Sequence, residues 1–311
     1  MGDDRGTMEY LLIQVLNGVQ LGLLMFLLAA GLTLTFGIMD LVNLAHGSLY
    51  MMGAYIAWTF VTWTDSFVLG ALLALPATFA LGVVVEAVVM RRLYARDHLD
   101  QVLATFGLIL FFNELVRVIW GPAGKSIAVP PFLSRTIEIL PGVPYPAYRF
   151  ALIVVGAVVA LLLAWMVART RLGMLIRAGA SNRRMIAALG VNIELLFSLV
   201  FGLGAVFAGL AGLMAAPISS VKIGMGDDIL ILAFVIIVIG GIGSIKGAFV
   251  AAMVVGQIDI GGRAFLPELL KTFMPPASAS AAAPAISQVA IYVLMAGVLV
   301  WRPTGLFGQR A

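Results

Sequence analysis

Cysteine is absent from this 311-residue sequence, and histidine appears only as His46 and His98. Disulfides, thiolate metal sites, cysteine nucleophiles and any histidine-rich metal centre are therefore excluded. Charge is also scarce: Asp, Glu, Lys and Arg make up 11% of the chain and hydrophobic residues 62%, whereas a soluble domain carries roughly 25% charged residues. Water is not the solvent such a surface is built for. A nucleotide-binding loop is missing as well. That loop needs a Gly, four further residues, then Gly-Lys and Ser or Thr, so that backbone amides cradle phosphate and the hydroxyl meets magnesium. The Gly-Lys-Ser at 124–126 has Ile119 at the first position, and GGIGSIKG places Ile245 and Gly247 where Gly and a hydroxyl belong. No Gly-x-Ser-x-Gly or His-Glu-x-x-His pattern supplies a nucleophile and base. An intramembrane enzyme is disfavoured, and no cofactor is expected in this chain.

The length is taken up by apolar runs, at about residues 10–36, 44–63, 67–90, 102–120, 149–168, 193–216, 229–242, 248–261 and 286–301. Most approach the ~20 residues that cross a ~30 Å hydrocarbon layer as a helix. They lack the alternation of barrel strands, and otherwise only a helix satisfies its own backbone in lipid. The expected fold is an all-α integral membrane protein, a single domain over 1–311 with about eight transmembrane helices. The seventh and eighth runs are short and separated by glycines, which leaves eight or nine crossings open, one of them re-entrant. Residues 121–148 predict a compact external loop holding a strand-like or short helical piece. MPPASASAAAPA, at 274–285, reads as a flexible connector.

The net charge of +4 comes from Lys and Arg in short loops, which is how membrane topology is encoded, and a nucleic-acid partner is not expected. With nine crossings and the amino terminus outside, eleven Lys and Arg fall inside and seven outside, with Arg117 in a span. Five Arg in 169–194 alone support an outer amino terminus and a cytoplasmic carboxyl terminus. The opening MGDDRGTMEY lacks the positive flank of a secretory signal, and Gly6 does not fit a myristoylation motif, so the first run is expected to be a retained span.

Three interruptions are candidates for function. In the loop 169–192, Ser181 can cap a two-turn helix from about Asn182 to Leu189, with Met185, Ile186 and Leu189 on one face and Gly190 as a left-handed stop. A helix so short needs a partner for its apolar face, either the membrane interface or another protein. In 36–55, Gly37, Asp40, Asn43, His46, Gly47 and Ser48 break the apolar sequence. Polar groups at such depth usually face a wet cavity or a solute path; an ordinary turn with Asn43 and His46 as caps is the other reading. In 238–256, Gly240, Gly241, Gly243 and Gly247 allow close backbone approach, with Gly243 and Gly247 at the spacing of a packing face. Glu114 and Arg117 are placed to neutralise each other on one helix. Glu86 and Asp259 are expected near span ends or in the interior, and Gly18 with Gly22 as a packing pair.

Four segments, NLAHGSLYMMGAY, RAGASNRRMIAALGVN followed by AGLAGLMAAP, GGIGSIKGAFVAA, and WRPTGLFG, occur in an order that resembles the LivH-type permeases of branched-chain amino acid ABC transporters. The resemblance covers nearly the whole chain. It implies a bacterial inner-membrane importer of hydrophobic amino acids or a related solute such as urea, an amide or an aromatic acid. It also implies partners: a second, LivM-like permease subunit, two cytoplasmic ATPases that bind ATP and Mg, and a periplasmic solute-binding protein. Under it the loop 169–192 docks on the ATPase through Arg177, Ala178, Arg183, Arg184, Ala187 and Gly190. Arg177 departs from the acidic residue common at its place in importers. The solute path is expected beside Asn43, His46, Gly47, Gly240, Gly241 and Gly243. A self-sufficient ion-coupled transporter or channel is the alternative; it would need several buried acids, and the spans offer mainly Glu86, Glu114 and Asp259.

Overall fold

With no water in lipid to satisfy their amides, the apolar runs close their hydrogen bonds as helices. The computed structural model describes residues 3–140 and 142–308; Arg310 and the side chain of Arg5, both in the charge count above, lie outside the description. Helix α1 (Asp3–Met39) is followed by α2 (His46–Thr64) and α3 (Phe67–Val85), which continues through a π-helical turn, Glu86–Met90, into α4 (Arg91–Leu93). After α5 (His98–Trp120) and a 3-10 turn at Pro131–Leu133 comes an antiparallel hairpin of β1 (Thr136–Leu140) and β2 (Val143–Pro146). Then follow α6 (Ala147–Arg169), the short α7 (Arg171–Ser181) and α8 (Arg183–Ala188), and α9 (Ile193–Ala215), α10 (Met225–Gly240), α11 (Ile245–Leu270) and α12 (Pro276–Trp301). Among the described residues seven helices are long and apolar enough to cross a membrane. The chain is an all-α, multi-pass membrane protein. Helices α2 and α10 are not among the seven.

The starts of several helices are written in polar side chains. Ser66, Thr170, Asn182, Asn192 and Ser244 each accept a hydrogen bond from the amide three residues on, which satisfies a donor that the first turn leaves free. Helix α1 is the axis of the bundle: 78% of its spanning window is buried, against 17% for α5 and α6. It packs along α11 and α9, and α9 in turn packs against α2 and α3. The pair Gly18 and Gly22 meets Gln257 and Met253 of α11 directly, so the absence of side chains there sets how closely the two helices approach.

Three expectations need correction. The stretch 274–285 is no connector, because α12 begins at Pro276; proline is pre-organised for a first helical position and the alanines after it have the highest helix propensity. The run 248–261 is only the middle of the 26-residue α11. Gly247 does not share a face with Gly243: it packs on the backbone of Gly240 across the turn, while Gly243, at φ +79, lies against Gly37 of α1.

Candidate functional site

Depth within the bundle can be read from α1. Asn17 accepts hydrogen bonds from Tyr145 and Arg149 beside the β-hairpin, and Met39 receives the hydroxyl of Tyr94 beside Arg91 and Arg92. These polar belts are separated by about 33 Å of helix at ~1.5 Å per residue, close to the thickness of a hydrocarbon core. Leu28 lies midway between them. Its carbonyl accepts from His46 Nε2 at 3.1 Å, so the first residue of α2 sits near the middle of the layer. Beyond Met39 the chain turns at Asp40, which has φ +50, and residues 40–45 run back along α1 before α2 starts.

Helix α10 begins at the same depth. Gly47 of α2 and Gly226 of α10 touch backbone to backbone, too closely for either to carry a Cβ. The amino termini of the two shorter helices thus meet at mid-depth, and from there α2 rises toward the hairpin end while α10 descends toward the arginine-rich end. Around this contact lie polar groups without partners. Both amide atoms of Asn43, His46 Nδ1, Ser48 Oγ and Thr33 Oγ1 are buried and make no hydrogen bond among the described residues. Buried polar atoms are normally paired, and leaving one unpaired costs ~1–3 kcal/mol. Such a set suits a layer that rearranges or takes up water or solute, because its donors and acceptors are already in place.

Two cavities flank the layer. One, of about 570 Å³, is lined by Met25, Tyr50, Lys222, Asp228, Leu232 and Tyr292 among others. The other, of about 990 Å³, includes Thr33, Asp40, Arg177, Arg183, Gly243 and Lys246 in its wall. Met25 and Thr33 stand about 12 Å apart along α1, at ~1.5 Å per residue. Of the residues expected on a solute path, Gly243 lines the second cavity; Asn43, His46 and Gly47 lie in the layer between the two. Gly240 and Gly241 are packed against Gly247 and Gly308 at the arginine-rich end. Lys222, Asp228 and Gly226 were not singled out from the sequence; paired aspartates at the head of an apolar run were the available signal.

At the arginine-rich end the loop 169–192 forms two helices. The first, α7, begins at the Thr170 cap and was not foreseen; its Gly173, Ile176 and Gly179 face inward. The second starts one residue later than expected because Asn182, and not Ser181, supplies the cap. Gly190 follows it at φ +85, a left-handed stop. Ile186 is buried, and both it and Ile38 of α1 lie against Gly179. Met185 and Leu189 are 63% and 78% exposed, and Arg184, Ala187 and Gly190 are exposed with them, with Ala178 partly so. Arg177 and Arg183 border the larger cavity, and Arg183 also stacks over Phe197. Close by, buried Glu86 accepts from Arg91, Tyr94 and Ser198, and Arg91 also reaches Glu194. This cluster ties the end of α3 to the start of α9.

The model of a family described as the permease component of the branched-chain amino acid transport system matches residues 14–299. The permease protein BraD of a high-affinity branched-chain amino acid transport system in Pseudomonas aeruginosa is 30% identical over 310 residues, which cover 95% of each chain. LivH of Salmonella typhimurium, a permease protein of the same description, is 26% identical over 314 residues and 96% of each chain. A probable LivH of Methanocaldococcus jannaschii is 26% identical over 302 residues, 92% of this chain and 89% of that one. No solved structure gives a significant match.

Proposed function

Because this chain belongs to the permease family of branched-chain amino acid transport systems, we propose that it is a membrane-spanning subunit of an ATP-binding-cassette importer that moves branched-chain or similar hydrophobic amino acids into the cytoplasm. The match over almost the whole length carries this reading. ATP and Mg bind to two cytoplasmic ATPase subunits, a second permease subunit completes the membrane pore, and a periplasmic binding protein delivers solute. The amino terminus lies outside, and the arginine-rich end faces the cytoplasm.

The geometry supplies a mechanism for this role. Met185, Leu189 and Gly190 present an apolar knob flanked by arginines, a surface suited to burial against an ATPase. Displacement of α8 passes through Ile186 and Gly179 to Ile38 at the end of α1, a packed contact that transmits motion only if it moves as a unit. Solute leaving the cavity toward the hairpin end reaches the larger one by passing the Asn43 and His46 layer, so transport requires the Gly47 and Gly226 contact to loosen. Ion coupling is the weaker alternative: the three acids it would draw on in the spans, Glu86, Glu114 and Asp259, are held by Arg91, Arg117 and Arg263.

The decisive experiment is reconstitution in liposomes. Leucine uptake is expected only when the ATPases, second permease and binding protein are present with ATP; concentrative uptake by this chain alone under an ion gradient would overturn the proposal. Two substitutions refine it. Gly190→Val places a β-branched residue in a left-handed conformation, at a cost of roughly 1–2 kcal/mol, and is expected to reduce ATPase co-purification while the membrane bundle remains folded. Asn43→Leu removes two unpaired buried polar atoms, so thermal stability should hold or rise, while uptake falls; unchanged transport kinetics would remove Asn43 from the path.

A further inference from the structure

The smaller cavity has a chemistry of its own. Its wall contains one cation, Lys222, and one carboxylate, Asp228, together with the aliphatic surface of Met25, Ile229 and Leu232. Both charged residues are exposed in the chain, and neither appears in an ion pair among the described residues. Asp228 lies two residues beyond Gly226, so at ~1.5 Å per residue it stands within about 3 Å along the helix of the mid-depth layer. A carboxylate at that depth is costly in lipid and is found facing a wet path or a partner charge. Its neighbour Asp227 differs, since its carboxylate accepts from Asn113. A first-turn acid that only offsets the helix dipole needs no cavity, no opposite charge in the same wall and no apolar surface beside it.

We propose that this cavity is a transient binding site for a zwitterionic aliphatic α-amino acid, with Lys222 taking the carboxylate, Asp228 the ammonium and Met25 and Leu232 the side chain. The assignment rests on the importer reading above and adds the groups that recognise the solute. A volume of about 570 Å³ falls within the ordinary range for small-molecule sites. Two opposite charges also discriminate. A fatty acid leaves Asp228 facing an alkyl chain, an amine leaves Lys222 unpaired, and each mismatch opposes binding. The exposure of both charges favours release, as a relay between binding protein and cytoplasm requires.

The test uses the assembled importer in proteoliposomes with its binding protein. Asp228→Asn and Lys222→Gln should each lower initial leucine uptake about tenfold or more, and Asp228→Glu should restore most of it, while co-purification of the subunits persists. Binding is read separately, through a chain that naturally lacks cysteine. In the complex carrying Ile231→Cys, a residue on the same wall, L-leucine should slow alkylation by a water-soluble maleimide. The analogues 4-methylpentanoate and 3-methylbutylamine, each missing one charge, should not. Uptake by either neutral variant within about twofold of the parent, or equal protection by the singly charged analogues, overturns the site. Loss of uptake without any protection by leucine overturns it too. Absence of leucine uptake by the unmodified importer would strike instead at the importer reading itself.

Discussion

Replacing Gly226 with Leu should leave no recoverable folded protein. A Cβ at that position would enter the van der Waals shell of the Gly47 carbonyl, and the obstacle is backbone on both sides, so no rotamer change can relieve it. Overpacking that side chains can absorb costs ~1–3 kcal/mol; here the helices themselves must separate, and the loss should exceed that range. Gly47→Leu should behave alike, because its own Cβ would collide with Gly226. Gly107 is the control: nothing lies within 4 Å of a Cβ there, and Gly107→Ala should gain up to about 1 kcal/mol from helix propensity. Monodisperse yield in size-exclusion chromatography and thermal midpoints would check all three. A well-folded Gly226→Leu protein would mean that the two helix starts do not meet.

Substitution of Glu86 is expected to have the next largest effect. The side chain is fully buried and is the common acceptor for Arg91, Tyr94 and Ser198. Burial first, and the bond to Glu86 second, push the Tyr94 phenol far above its usual range, so it stays protonated and donates. Glu86→Leu leaves these donors facing an alkyl group, the situation in which breaking one side of a polar cluster is worse than removing both. A fall in thermal midpoint of roughly 5 °C or more is expected, with the Glu86→Leu, Arg91→Leu double variant recovering part of it. If the double variant is no better than the single one, the pair is not coupled.

These two sites show what the sequence makes legible. Apolar runs revealed the helices, because a span in lipid must satisfy its own backbone and its length follows from the layer it crosses. The left-handed Gly190 and the Glu114 and Arg117 pair were readable for the same local reason, and the pair closes at 2.8 Å. What stayed hidden depends on contacts between distant segments. Gly47 stands out as part of a break, but Gly226 is unremarkable alone, and only the fold places the two together. Lys222 and Asp228 lie six positions apart and look like a loop charge and a helix cap until a cavity joins them. The alanine-rich start of α12 reads as a linker because of its prolines and serines, although a proline at a helix start promotes the helix that follows.

The central position of α1 also bears on the order in which the protein can be made. The most deeply buried helix leaves the ribosome long before its longest packing partner, Ile245–Leu270. In the interval Gly18 and Gly22 therefore have no α11 to meet, and the nascent chain must hold α1 in lipid until α11 emerges to enclose it. A product truncated before residue 245 keeps five of the seven spans but lacks the partner that locks α1, which makes the arrival of α11 the step that commits the bundle to its final packing.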